Sequence, residues 1–171
     1  RKDILRVEDL ATGEEIFNRW VEEGCSGAFY RDGKVIWNEG AASFHIYDCQ
    51  TEKTRDLADP GAREEEIVWE WELLLGRYAA YRVVEPQPEG PDLQGRPDLH
   101  RGLRVFDLEA GEVVYRSEED PRVAQRENWY YSQLLADGEA GLALLAGQEH
   151  EGEEYWALTG RGALTVVEVT E

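Results

Sequence analysis

The chain has 171 residues, of which 42% are hydrophobic, and its 37 acidic and 18 basic residues give a net charge of −19. The length fits one domain with a sizeable core, and the six Trp and eight Tyr residues exclude an intrinsically disordered chain. The negative charge argues against binding to nucleic acid or to an anionic membrane surface, and no apolar run is long enough to cross a membrane.

Apolar and polar residues alternate with period two along almost the whole chain, which predicts strands and few helices. Turn sequences separate these segments, and Asp32-Gly33 is a strong hairpin signal because both positions tolerate a positive φ. The predicted strands span residues 4–10, 14–20, 27–31, 34–38, 43–49, 53–57, 67–75, 78–85, 102–108, 112–117, 130–136, 141–146, 154–159 and 163–169. The last two are separated by a predicted turn at residues 160–162.

One short motif recurs in three of these segments. Residues 5–14, 44–53 and 103–112 each alternate, reach an aspartate, turn at a Gly or polar residue and resume as a strand. Repetition of a short β unit indicates a repeat architecture. The three aspartates, Asp9, Asp48 and Asp107, are expected to cap their turns by accepting backbone N–H bonds, with a ring of metal-binding carboxylates as the alternative.

The strands group into units, so we predict a single β-repeat domain with units at about residues 1–22, 23–58, 64–118 and 126–171. The first unit has only two strands, which match the third and fourth strands of the others. Further residues, pairing with the C-terminal strands, or association of two copies would complete it. The chain starts at Arg1 and has no Met, so we expect a processed or incomplete N-terminus.

The residues between the units and inside them lead to two further expectations. The proline-rich segment 86–97 cannot join a sheet and is predicted to project as a mobile loop. The alternation predicts six buried residues between the units: Leu5, Val7, Ile46, Val105, Leu142 and Leu144.

The turn sequences Asp9-Leu10-Ala11-Thr12-Gly13-Glu14 and Asp107-Leu108-Glu109-Ala110-Gly111-Glu112, each at the end of a strand of a meander unit, carry a resemblance. Such units resemble β-propeller blades of the WD-repeat, quinoprotein-like and TolB-like groups. The resemblance implies an all-β fold of antiparallel four-stranded meanders, as a small or partial β-propeller, with a β-sandwich or barrel as the alternative. It implies no function, since propellers host many.

Few residues suggest chemistry. The histidines His45, His100 and His150 are scattered, and no metal-site or nucleophile motif is present, so we expect no cofactor, no metal and no catalytic residue. Cys25 and Cys49 lack metal-site spacing and are expected to be two thiols, with a single disulfide of an exported protein as the alternative. The compartment stays open.

Aromatic residues are the candidate interaction residues. They cluster at or just before the first strand of two units, where they would either pack between blades or form a contact surface at the rim: Trp69, Trp71, Trp129, Tyr130 and Tyr131.

The sequence therefore predicts a non-enzymatic propeller-type module for protein–protein interaction, with a basic protein as the partner of its acidic surface. Two alternatives remain open. The chain could be part of an exported propeller enzyme or ligand sensor whose site needs further blades, or an acidic inhibitor or immunity-type protein.

Overall fold

The computed structural model describes residues 2–22, 25, 27–39, 43–62, 67–85, 99–123, 129–151 and 154–170. These residues form thirteen β-strands and one 3₁₀ turn, Ser117–Glu119, with no α-helix among them. The predicted all-β fold with antiparallel meanders is therefore confirmed. No helix in the described ranges has the length and apolarity needed to cross a bilayer.

The strands form four antiparallel sheets, each built from one continuous stretch of chain. None of them closes into a barrel within the described residues. The first sheet contains β1 (Lys2–Glu8) and β2 (Glu15–Glu22); the second contains β3 (Ala28–Arg31), β4 (Lys34–Glu39), β5 (Ser43–Asp48) and β6 (Lys53–Ala58); the third contains β7 (Ile67–Leu74), β8 (Tyr78–Glu85), β9 (Leu99–Asp107) and β10 (Glu112–Arg116); the fourth contains β11 (Trp129–Asp137), β12 (Leu142–Glu151) and β13 (Glu154–Glu168).

Tight turns join neighbouring strands as the sequence predicts. Asp32 and Gly33 connect β3 to β4 with φ angles of 49° and 74°. Leu75 and Gly76 connect β7 to β8 with φ angles of 50° and 68°. Two successive positive φ values twist a hairpin in the sense that antiparallel strands favour.

Three apolar cores hold the four sheets together in chain order. Phe17 and Val21 of the first sheet pack with Val35 and Trp37 of the second. A larger aromatic core joins the second and third sheets, where Phe44 lies 5.4 Å from Trp71 and 5.6 Å from Phe106 between ring centroids. The third core joins the third and fourth sheets: Leu74, Tyr78, Ala80, Leu103, Val105, Leu134, Ala143, Leu145 and Val167.

The fourth sheet differs from its predicted form. Residues 160–162 do not make a turn but belong to the single strand β13, so this sheet has three strands in the described part of the chain. The register shifts between Gln148 and His150 of β12, where Gln148 faces Gly162 and His150 faces Leu158. This irregularity accommodates extra residues of β13 without breaking the pairing.

The prediction of buried residues is confirmed for Val105, which has no exposed surface. Leu5, Val7 and Ile46 are half-buried and pack at the margins of the cores. Leu142 and Leu144 are also only half-buried and belong to none of the three cores, so the prediction is wrong for them; Ala143 and Leu145 face the core instead. The loop predicted at residues 86–97 lies outside the described residues.

Candidate functional site

Among the predicted interaction residues, Trp71 is a core residue. It is 4% exposed, meets Phe29 edge to face at 4.6 Å, and its indole N–H donates to the Gly27 carbonyl at 3.3 Å. Trp71 therefore packs in the core between the second and third sheets. The side chains of Trp69, Trp129, Tyr130 and Tyr131 lie outside the described set.

The three repeated aspartates cap their turns as predicted. Asp9 accepts the N–H groups of Ala11 and Thr12 at 2.8 and 2.9 Å. Asp48 and Asp107 do the same for the residues two and three positions later. Asp137 is a fourth member, which the sequence analysis missed although its sequence, Asp137-Gly138-Glu139-Ala140-Gly141, has the same spacing from Asp to Gly.

The histidines and cysteines do not assemble a site in the described residues. The His45 Nδ1 atom lies 2.8 Å from Asp56, and its ring stacks on Trp37 at 5.0 Å. The side chains of His100 and His150 are not among those described. Cys25 and Cys49 are not joined in a disulfide. The described ranges contain no group of three His, Cys, Asp or Glu residues that could hold a metal ion.

A buried charge network joins the connection after β6 to strands β8, β9 and β10 of the third sheet, and it was not predicted. The Asp59 carboxylate has no exposed side-chain surface and accepts hydrogen bonds from Arg116 at 2.5 Å, Tyr81 at 2.9 Å and Arg104 at 3.3 Å. The Gly61 N–H adds a fourth donor at 2.8 Å. No local sequence signal could reveal this network, because its members are far apart along the chain.

The electrostatics of this network fit a structural role. Burial acts to raise the pKa of Asp59, but the bonds from Arg116, Gly61 and Tyr81 outweigh it and hold that pKa below its usual range. Burial, followed by the nearby Asp59 charge, raises the pKa of the Tyr81 hydroxyl. Asp59 stays a carboxylate and Tyr81 stays a phenol at neutral pH. Neither group is therefore poised for proton transfer.

Several exposed apolar side chains lie on one face of the fourth sheet, which we call the C-terminal outer face. Leu135, Leu164 and Val166 are 47%, 61% and 57% exposed. The pairing register places three outward rows side by side, of which the middle row runs Leu135–Leu144–Val166. The apolar members of this face are Leu135, Leu142, Leu144, Ala146, Leu164 and Val166.

Acidic residues border one end of this face. Asp137 and Glu168 flank Leu142 in the outermost row, and both are exposed. Glu139 follows in the exposed turn between β11 and β12. The face thus combines an apolar centre with a negative margin, an arrangement that suits a partner surface with apolar and basic groups.

The first sheet presents a smaller apolar site at the other end of the stack. Ile4 and Trp20 are opposite one another on β1 and β2 and are 54% and 63% exposed. Their neighbour Arg6 is paired with Glu8 and with Glu15. The apolar area here is a single cross-strand pair, whereas three rows contribute on the fourth sheet.

No known protein family and no curated protein sequence matches this chain. The fold is similar to the crystal structure of a conserved lipoprotein from Clostridium novyi NT, with a TM-score of 0.54, 8% sequence identity and coverage of 99% of both chains. The tricorn protease shows a weaker similarity, with a TM-score of 0.45 and 14% identity over 84% of this chain and 13% of that chain. At 8% identity the first likeness extends to the fold alone, and the second is too weak to support an argument.

Proposed function

We propose that the chain is a non-catalytic, propeller-type module that binds a basic protein through the C-terminal outer face. The single observation that carries the proposal is the apolar centre of this face, exposed on a protein in which 32% of residues are charged. Contiguous apolar surface on a highly charged protein marks an interaction site.

The arrangement of the sheets supports the propeller part of the proposal. Consecutive antiparallel meanders pack face to face in chain order through three cores, as blades do. The second and third sheets are covered on both faces. Among the described residues, the fourth sheet packs against another sheet on one face only, so its outer face is suited to receive one more β surface.

The negative charge of the face and of the whole molecule favours a basic partner. Asp137, Glu139 and Glu168 border the face, and the whole molecule carries −19. A second copy of this chain would bring the same negative charge, whereas a basic protein is attracted at long range and oriented on approach. An acidic inhibitor or immunity-type protein is one form of this function.

The proposal is tested with two synthetic peptides, one alternating lysine and valine and the other alternating glutamate and valine. We expect the lysine peptide to shift the backbone amide NMR signals of Leu135, Leu164 and Val166, with weaker binding at 1 M than at 0.1 M salt, since the Debye length falls from about 10 Å to about 3 Å. Equal binding of the two peptides, or shifts confined to other strands, would overturn the proposal.

A matched pair of variants distinguishes binding at the C-terminal outer face from non-specific binding elsewhere on the surface. The double substitution Leu164→Thr with Val166→Thr keeps strand-forming side chains but removes apolar surface, and should weaken lysine-peptide binding about tenfold or more. Val114→Thr changes another exposed apolar residue, on β10 of the third sheet, and should leave binding unchanged. Retained affinity in the double variant would contradict the assignment.

A further inference from the structure

A groove of about 360 Å³ opens between the second sheet and the turns of the third sheet. Its apolar surface comes from Ile36, Ile46 and Leu108, of which Ile36 and Leu108 are buried. Its charged lining is Lys34, Lys53, Arg55, Arg77, Asp48 and Glu109. The groove thus has a largely buried apolar base, and the charged residues Lys34, Lys53, Arg55 and Glu109 around it are exposed.

The basic residues of the groove are placed by the strand register. Lys34 on β4, Asp48 on β5 and Lys53 on β6 lie in one row across the sheet. Two positions along, Arg55 occupies the same row as Ile36 and Ile46. Side chains in alternate rows share one face of a sheet, so all of these groups point toward the same side. Two of the three lysines in the chain, Lys34 and Lys53, lie in the row that contains Asp48.

The cations of this row are poorly compensated. In the described residues, Arg6, Arg77, Arg104, Arg116 and Arg122 all pair with carboxylates, whereas neither Lys34 nor Lys53 does. Asp48 lies between the lysines, but its Oδ1 atom already accepts the N–H groups of Gln50 and Thr51. One carboxylate therefore balances two ammonium groups.

Arg55 adds a third cation that is held in place without being neutralised. Its guanidinium donates to the backbone carbonyl of Leu108 and, at 3.1 Å, to that of Glu109. Carbonyl oxygens orient the guanidinium but carry no charge. Arg77 is different, because Asp107 accepts from its Nε at 3.0 and 3.1 Å and Glu109 lies 3.4 Å from its Nη1. The positive charge of the groove therefore belongs to Lys34, Lys53 and Arg55.

We infer that this groove binds a carboxylate carried on a short apolar group, with the carboxylate on Lys34, Lys53 and Arg55 and the apolar part on Ile36, Ile46 and Leu108. A volume of about 360 Å³ fits a small ligand of this kind. Ammonium and guanidinium groups form charge-assisted hydrogen bonds with carboxylates. The acidic remainder of the surface does not prevent binding, since charges more than a Debye length away, about 8 Å at physiological salt, are largely screened.

The test is a titration of the intact chain with hexanoate, using hexanamide as the uncharged control, followed by amide NMR and calorimetry. We expect saturable hexanoate binding below about 10 mM, with shifts at Ile36, Ile46 and Leu108, and at least tenfold weaker hexanamide binding. Equal binding of the two compounds, or the absence of hexanoate binding, overturns the inference.

A lysine substitution tests the positions directly. The double variant Lys34→Gln with Lys53→Gln alters two exposed side chains and should weaken hexanoate binding at least tenfold, while Lys2→Gln, at the remaining lysine in β1, should not. Unchanged affinity in the double variant overturns the assignment. Its binding of the lysine–valine peptide should be unaffected, so this inference stands or fails independently of the proposed function.

Two sources could supply such a carboxylate, a free acid or the end of a peptide chain. An acetylated hexapeptide ending in leucine is therefore compared with its C-terminal amide. Tighter binding of the free-carboxylate peptide than of hexanoate assigns the groove to peptide ends, and tighter binding of hexanoate assigns it to small acids. Equal binding of the peptide and its amide, together with no preference for hexanoate over hexanamide, contradicts both.

Discussion

The four aspartate turns place the fifth residue of each turn in the left-handed region of backbone space. Gly13, Gly111 and Gly141 occupy this position with φ of 71°, 76° and 69°. In the second sheet the same position is Glu52, with φ of 56°. An L-residue with a Cβ atom is disfavoured there by about 1–2 kcal/mol, so Glu52 is the strained member of the set.

We expect Glu52→Gly to stabilise the protein by about 0.5–1 kcal/mol, because relief of left-handed strain exceeds the extra backbone entropy that glycine loses on folding. The midpoint of urea unfolding measures the change. Glu52→Gln, which removes the charge but keeps the strain, should show no such gain. Gly13→Ala, at a site with no atom within 4 Å of the added Cβ, should lose stability. A Glu52→Gly midpoint below that of the wild type would contradict the strain argument.

The Arg77–Asp107 pair adds to the pH sensitivity of one of the aspartate turns. The bonds from Arg77, together with the turn N–H groups, lower the pKa of Asp107 despite its burial. A folded-state pKa below the unfolded value of about 3.9 means that the stabilisation is complete above that pH and is lost as the pH falls through the folded pKa.

Asp107→Asn keeps the acceptor of the turn but removes the charge that faces Arg77. We expect it to lower the urea midpoint at pH 7, and the difference from the wild type to shrink progressively below about pH 4. The effect is moderate, since the Arg77 side chain is 39% exposed. Asp9→Asn, at a turn without an arginine partner among the described contacts, is the control and should cost less. A difference for Asp107→Asn that does not change with pH would refute this explanation.

At the scale of strands and sheets, the sequence pattern correctly predicted the features that depend on neighbouring residues, namely strand positions and tight turns. Alternation located the strands, and Asp32-Gly33 located a hairpin, because both depend on neighbouring residues. The face that Leu142 and Leu144 occupy was assigned wrongly, since both faces of β12 are apolar and only packing decides which one the third sheet covers. The predicted turn at residues 160–162 was wrong for a similar reason, because pairing with β12 overrides the turn preference of glycine.

The Asp59 network shows the same limit for the site. Asp59, Tyr81, Arg104 and Arg116 lie on different strands or connections and meet only after the third sheet forms. The C-terminal outer face was equally invisible, since a sequence does not show which apolar face is left uncovered. The sequence alone also does not show that Lys34 and Lys53 are close together, because only the strand register places both of them next to Asp48.

We expect Asp59→Asn to destabilise the protein by up to about 3–5 kcal/mol, because Arg104 and Arg116 lose their buried carboxylate and keep only the more exposed Glu118 and Glu119 as partners. Tyr81→Phe removes one of four donors to Asp59 and should cost less, about 1.5–3 kcal/mol for a hydrogen bond to a charged group, which makes it the matched control within the same network. Urea unfolding measures the loss of stability of each variant, so that the two losses can be compared. Equal losses for the two would show that packing at this position, rather than charge pairing, stabilises the network.

At the scale of the whole molecule, the chain is a row of four sheets with two separate candidate surfaces. The groove lies between the second and third sheets, and the C-terminal outer face lies on the fourth. The groove is lined by more basic than acidic residues in a protein of charge −19, and the other surface is apolar with a negative margin. The two proposals therefore assign these surfaces to ligands of opposite charge.

Because each sheet is built from one stretch of chain, the sheets can form one after another during translation. In the described residues no strand is exchanged between sheets, and the second sheet is complete at Ala58, before the third begins at Ile67. A ribosome adds about 5–20 residues per second, far more slowly than the microseconds a hairpin needs to form. Each sheet can therefore finish pairing while the next is still being translated, so that the nascent chain exposes one uncovered sheet face at a time.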